Sequence, residues 1–306
     1  EGGTFVNVTG SDFARRSALL GYLTCRFNRT VVAAAWRSTV ELHCVAPEHA
    51  AGVVSVEVTL NEQQHTSDSV QFEYQHVMLH SIQPRSGPVH GSTLVEVRGL
   101  NIEVATVRGL YCQFGAADAV AATHESKEVV RCVAPPAHAG APGMVPVRLL
   151  SNDVVLGSTV AFTYRAAASV QRVHPLVGVR GGGTLVTVYG TGFVDAAAAH
   201  CRFGDSAVLA QQAAPGVLEC ISPVSTASGY VSVEVTMNGA EYTADTVQFE
   251  YQQPAHVLAL EPSKGPEEGG TFVNVTGSDF ARRSALLGYL TCRFNRTVVA
   301  AAWRST

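Results

Sequence analysis

The sequence predicts an all-β chain of tandem antiparallel sandwiches, and three observations carry that expectation. Apolar and polar residues alternate at period two, as in Val54-Ser55-Val56-Glu57-Val58-Thr59 and Val231-Ser232-Val233-Glu234-Val235-Thr236. Such alternation turns valines to one face of a strand and polar groups to the other. Gly, Pro and Asn punctuate these stretches at short intervals, and no ten-residue stretch carries a helical period. The strand pattern also recurs in units of about 90 residues.

Within a unit the elements follow one order. Gly3-Thr4, Ser92-Thr93, Gly183-Thr184 and Gly270-Thr271 open an alternating strand, seen in Val6-Asn7-Val8-Thr9, Val95-Glu96-Val97-Arg98 and Val186-Thr187-Val188-Tyr189. Gly10, Gly99, Gly190 and Gly277 end it. A Cys-x-Phe follows, at Cys25-Arg26-Phe27, Cys112-Gln113-Phe114, Cys201-Arg202-Phe203 and Cys292-Arg293-Phe294. Then come a second cysteine (Cys44, Cys132, Cys220), another alternating strand, and an aromatic close at Phe72-Glu73-Tyr74, Phe162-Thr163-Tyr164 and Phe249-Glu250-Tyr251. Ala196 to Ala199 suffices for one helical turn at most. Pro84, Pro175 and Pro262 mark successive starts, so the expected modules are 1–76, lacking its first strand, 77–165, 166–252, and 253–306 as the opening part of a fourth.

A stronger repeat overlies this one. Residues 1–39 recur unchanged as residues 268–306, an offset of 267, so three modules make one period. Both ends of the sequence cut through a module, which reads as a segment of a longer periodic chain continuing covalently on both sides; a terminal truncation or proteolytic fragment is the alternative.

Composition narrows the function classes. With 46% hydrophobic and 15% charged residues the chain is too apolar for disorder. A net charge of -4 offers no electrostatic reason to bind nucleic acid or an anionic membrane. Apolar runs such as Val31 to Trp36 fall far short of the roughly 20 residues a membrane helix needs, so no membrane insertion is expected in this segment.

The Pro-x-x-Gly entry, the Gly-Gly-Thr opening, the strand-ending glycine, the Cys-x-Phe-Gly, the Cys-Val-Ala-Pro and the closing Phe-x-Tyr together resemble IPT/TIG domains. These are immunoglobulin-like modules of plexins and fibrocystin-like surface proteins, and the resemblance covers essentially the whole chain. It implies tandem immunoglobulin-like β-sandwiches. It is weak for function, because such modules occur in receptors, adhesins, DNA-binding factors and polysaccharide enzymes. Acidity and paired cysteines disfavour the transcription-factor branch, and no separate catalytic domain is present.

The seven cysteines sort into one pair per module: Cys25 with Cys44, Cys112 with Cys132, and Cys201 with Cys220, leaving Cys292 over. A loop of this size stabilises a module by ~3 kcal/mol in the chain-entropy model. Repeated disulfides imply an oxidising compartment, extracellular or at the cell surface. Asn-x-Ser/Thr sequons stand at Asn7 and Asn28, and through the repeat at Asn274 and Asn295, making covalently attached N-glycans the expected partners. Asn28 also takes the place of Gly115 and Gly204, so a left-handed turn is its plain structural reading. Asn7 replaces Glu96 and Thr187 on the polar face of its strand. Pro135-Pro136 reads either as an ordinary loop or as a hydroxylation site.

No set of residues converges on a chemistry. Gly181-Gly182-Gly183 and Gly190-Thr191-Gly192 lack a Walker Lys-Ser/Thr and read as turns, the histidines are scattered, and no Cys-x-x-Cys occurs. No catalytic, cofactor-binding or metal site is expected, and no cofactor. Counting back from the second cysteine, Trp36 falls where the sister modules have His124 and Gln212, so an exposed position is expected; Trp36 folding back on its own sandwich is the alternative. Together with Arg15, Arg16, Leu19 and Leu20, in the longest segment between strand-ending glycine and first cysteine, it forms a candidate interface for self-association. The leading functional reading is a structural extracellular filament or stalk of long tandem arrays, each 267-residue block spanning roughly 100 Å. A receptor or adhesion ectodomain is the alternative, and an accessory carbohydrate-associated module of a secreted enzyme the third.

Overall fold

A computed structural model describes residues 2–102, 109–151, 154–194 and 196–305. It divides into two compact units, Glu1–Ala167 and Ala168–Thr306.

In the first unit, β1 (Phe5–Thr9), the short helix α1 (Arg15–Leu19), β2 (Thr24–Phe27), β3 (Thr30–Ser38), β4 (Glu41–Val45), β5 (Gly52–Thr59) and β6 (Gln71–Tyr74) form the first module. Its strands run in the order β1-β4-β3-β2-β5-β6. The second module adds β7 (Met78–Gln83), β8 (Ser86–Pro88), β9 (Leu94–Leu100), β10 (Leu110–Phe114), β11 (Val120–Ser126), β12 (Val129–Val133), β13 (Gly143–Ser151) and β14 (Val154–Arg165). Here the order is β7-β9-β12-β11-β10-β13-β14-β8, the same frame with an opening strand at one edge and the short parallel β8 at the other.

The second unit repeats that eight-stranded order with β15 (Ser169–His174), β16 (Val177–Val179), β17 (Leu185–Thr191), β18 (His200–Phe203), β19 (Ser206–Ala214), β20 (Val217–Ile221), β21 (Gly229–Thr236) and β22 (Gln248–Gln252). The fourth module contributes two hairpins: β23 (His256–Glu261) with β24 (Asn274–Ser278), then, after α2 (Arg282–Leu286), β25 (Thr291–Phe294) with β26 (Thr297–Ala300).

Period-two patterning places the core. Val95 and Val97, and in the next module Val186 and Val188, are fully buried, while the intervening Glu96 and Thr187 lie half-exposed. Burying one such valine is worth roughly 1.5 to 3 kcal/mol. Each Cys-x-Phe ring meets the aromatic close of its module edge to face: Phe27 on Phe72 at 5.6 Å, Phe114 on Phe162 at 5.3 Å, Phe203 on Phe249 at 5.4 Å. Gly178 lies against this cluster, where an added Cβ would collide with Phe249 and Thr184. The Pro-x-x-Gly entry thus needs glycine because an aromatic ring occupies the space a side chain would take.

Register is shared between modules. Val6 pairs with Cys44, Val95 with Cys132, and Val186 with Cys220. β3 pairs with β2 over Thr30 to Ala33 and with β4 from Ala34 onward, so one strand passes the chain from one layer of the sandwich to the other. β11 and β19 do the same in their modules.

Candidate functional site

Because β3 is shared between the layers, its neighbours β2 and β4 come within bridging reach. Disulfides join Cys25 to Cys44, Cys112 to Cys132 and Cys201 to Cys220, with Cα separations of 6.4, 6.3 and 6.3 Å. All six cysteines are buried, whereas Cys292 is unpaired and half-exposed.

The sequon asparagines stand on the surface. Asn7 and Asn274 project from strands, and Asn28 and Asn295 occupy the tight turns that follow the Cys-x-Phe units; all four are exposed. Asn28 has φ +54° against +60° at Gly115 and Gly204, so the asparagine holds the same left-handed turn that glycine holds in the sister modules. Its amide lies 3.4 Å from His49 Nε2, a contact open to solvent.

Trp36 requires a correction. Rather than projecting outward, it is half-buried against the core of its own module, and its indole N–H donates to the Phe13 carbonyl at 2.9 Å. Gln212 Nε2 makes the equivalent bond to the Phe193 carbonyl at 3.0 Å, and Trp303 to Phe280 at 2.8 Å. In the first, third and fourth modules the position supplies an N–H that ties down the loop after the first strand. The sequence signal for this was present: Trp, Gln and His share a side-chain N–H and little else. Arg15 lies over the Trp36 ring at 5.7 Å.

The other candidate interface residues remain outside the core. Arg15, Arg16, Leu19 and Leu20 are exposed on and just after α1, Leu19 at 77%. Sequence reasoning did not identify what the second copy of this segment touches. Arg283 Nε lies 2.9 Å from Glu250 Oε2, an ion pair not aligned as a hydrogen bond, and its guanidinium sits 5.2 Å from the Tyr230 ring. Ser284 Oγ donates to Gln252 Oε1 at 2.7 Å. The Tyr289 hydroxyl accepts from the Leu176 amide at 3.4 Å and lies 3.4 Å from His174 Nδ1. All these partners belong to the third module, so α2 and the turn after it are seated on the module that precedes them.

Burial shapes the titratable groups that the aromatic close supplies. It pushes the Tyr164 phenol up to about 12 and raises Tyr74 and Tyr251, the last opposed by a hydrogen bond with Ser222. These are core residues with no access to a substrate. Among the described residues no group of three or more His, Cys, Asp or Glu side chains is placed to hold a metal ion, and no helix is long and apolar enough to cross a membrane.

Comparison with known proteins agrees with this architecture. The IPT/TIG domain profile matches residues 1–74, 78–164 and 168–251. Mouse Plexin-B2 is 26% identical over 208 residues, 65% of this chain and 11% of its own length. Mouse Fibrocystin-L is 26% identical over 299 residues, 92% of this chain and 6% of its own length. The chain therefore spans a small part of the curated relatives it matches. In structure it resembles the full extracellular region of Plexin A4, with a TM-score of 0.51 and 15% identity, covering 91% of this chain and 27% of that one. These relatives and the buried disulfides mark an extracellular or cell-surface protein. With three successive matches along its length, the chain belongs to the IPT/TIG domain family.

Proposed function

We propose that the chain is a non-catalytic segment of an extracellular, N-glycosylated stalk or filament built from tandem IPT/TIG modules. The observation that supports this reading most directly is the unchanged recurrence of residues 1–39 as 268–306 beside sister modules that have diverged. Repetition of a whole three-module block suits a polymer with a fixed axial repeat. The exposed sequons at Asn7, Asn28, Asn274 and Asn295 would put glycans on one module in three, leaving the others bare.

A receptor or adhesion ectodomain is the second reading, and the plexin and fibrocystin-L relatives favour it over the filament. In that case the modules space a binding head from a membrane anchor. Sequencing the full-length transcript separates the two. Many copies of the 267-residue block support the filament. A few diverged modules followed by a membrane-spanning helix and a cytoplasmic domain replace it with the receptor.

A further inference from the structure

Two copies of one sequence stand in different surroundings. Arg283, Ser284, Leu287 and Tyr289 repeat Arg16, Ser17, Leu20 and Tyr22 at the 267-residue offset. In the second copy Arg283 pairs with Glu250 beneath the Tyr230 ring, Ser284 bonds Gln252, and Tyr289 meets Leu176 and His174. Leu287 and Tyr289 are half-covered there. In the first copy Leu20 is 54% and Tyr22 44% exposed, and the side chains of Arg16, Ser17 and Tyr22 have no hydrogen-bond or ionic partner among the described residues. The local fold is the same in both: the five-residue helices α1 and α2 have matching ends, and Trp36 and Trp303 make the same bond to the loop.

We infer that the Arg-Arg-Ser-Ala-Leu-Leu-Gly-Tyr segment is an inter-module docking element, and that its copy at Arg15 to Tyr22 takes as its partner a module with the face of the third one, carrying Glu250, Gln252, Tyr230 and His174, joined ahead of it in the same chain. The chemistry is selective for that pairing. Glu73 stands at the position of Glu250 in the first module, but the second module continues Leu100-Asn101-Ile102 after its first strand and has no Arg-Arg there. The second module has Thr163 in place of the acid. Only one junction per 267-residue period therefore unites the arginine with its carboxylate; the junction between the first and second modules instead has Asn101 Nδ2 donating to the His76 carbonyl at 3.0 Å. This stands whether the array serves a filament or a receptor.

The test extends the full chain at its N-terminus with its own residues 168–267, reproducing the join seen before Glu268. Leu286→Val, at an exposed position, separates the two copies by mass, and hydrogen exchange is followed across residues 15–23. The extension should slow exchange there by about fivefold. Glu250→Arg within the extension should abolish the slowing, and adding Arg16→Glu should restore it. The reversal pair is decisive because the extension also supplies an opening strand, whose general stabilisation would not respond to charge at Glu250. Exchange indifferent to Glu250→Arg overturns the docking element. Protection that appears without the extension and grows with protein concentration overturns the same-chain partner in favour of a second copy.

Discussion

The Tyr164 hydroxyl donates to the Pro135 carbonyl at 2.7 Å, and Tyr251 makes the same bond to Pro223 at 2.9 Å. Tyr74, third in the series, is buried and stacked on His49, yet its hydroxyl has no partner among the described residues. A buried hydrogen bond is worth about 1 kcal/mol net, whereas a buried unpaired hydroxyl costs free energy. Tyr164→Phe and Tyr251→Phe should therefore destabilise their modules by about 1 kcal/mol each, and Tyr74→Phe should be neutral or stabilising. Denaturant titration read by module-resolved hydrogen exchange checks the ordering; equal losses at all three positions would refute it.

The Tyr164 phenol carries a pH signature. Burial raises it from 10.0 to about 12, and the neutral form is the one the folded state prefers. Its contribution to stability is complete below pH 10 and is lost as pH rises toward 12. Unfolding followed by phenolate absorbance across that window should show stability falling, and Tyr164→Phe should flatten the slope for the second module. A slope unchanged by the substitution would assign it to other groups.

Most of the frame was legible in the residues. The alternating valines showed which face is buried, since a period of two determines it, whereas the order of the Cys-x-Phe and the closing Phe-x-Tyr marked the modules without revealing that their rings meet edge to face. Trp36 was aligned correctly: it pairs with Leu42 as His124 pairs with Val130 and Gln212 with Leu218. The expectation of exposure holds for His124 and Gln212 and fails for Trp36, because the larger indole packs back on the core of its own module while its N–H, like that of Gln212, binds a carbonyl in the loop after the first strand. The docking of α2 was not legible, since Glu250 looks like Glu73 in sequence and only the packed module reveals which acid receives an arginine.

At Asn28 the turn and the sequon make separable demands. Asn28→Gly removes the sequon but keeps a backbone that glycine occupies in both sister modules at φ +60°, so stability should hold while the glycan at that site disappears. Asn28→Ala should cost about 1 kcal/mol, because a Cβ disfavours the left-handed region. Glycopeptide mass spectrometry with thermal unfolding distinguishes the two effects. An unmodified Asn28 in native material would leave the turn as its sole role.

Each disulfide closes a loop of 19 or 20 residues, and replacing one pair, Cys112→Ser with Cys132→Ser, should cost the second module ~3 kcal/mol. Non-reducing peptide mapping should recover three crosslinks within modules. In the 306-residue chain by itself, Cys292 should be the one of the seven cysteines to alkylate without reduction. Crosslinks joining different modules would contradict the topology in which β2 and β4 flank β3.

Trp36 offers the sharpest choice between a fold role and an assembly role. Its indole packs on the core formed with Phe27, Leu42 and Cys44, and its N–H holds the Phe13 carbonyl, while Phe13 itself is buried beneath Gly10. Truncation removes half-buried aromatic area and a hydrogen bond together, so Trp36→Ala should cost about 2 kcal/mol and loosen residues 11–14 in hydrogen exchange. Trp36→Gln borrows the chemistry of Gln212, keeping the donor and losing the ring, and should recover part of that loss. Sedimentation of both variants should match the unsubstituted chain, because the indole faces its own module. Unaltered stability accompanied by weaker association would reverse the assignment and return Trp36 to a surface between chains.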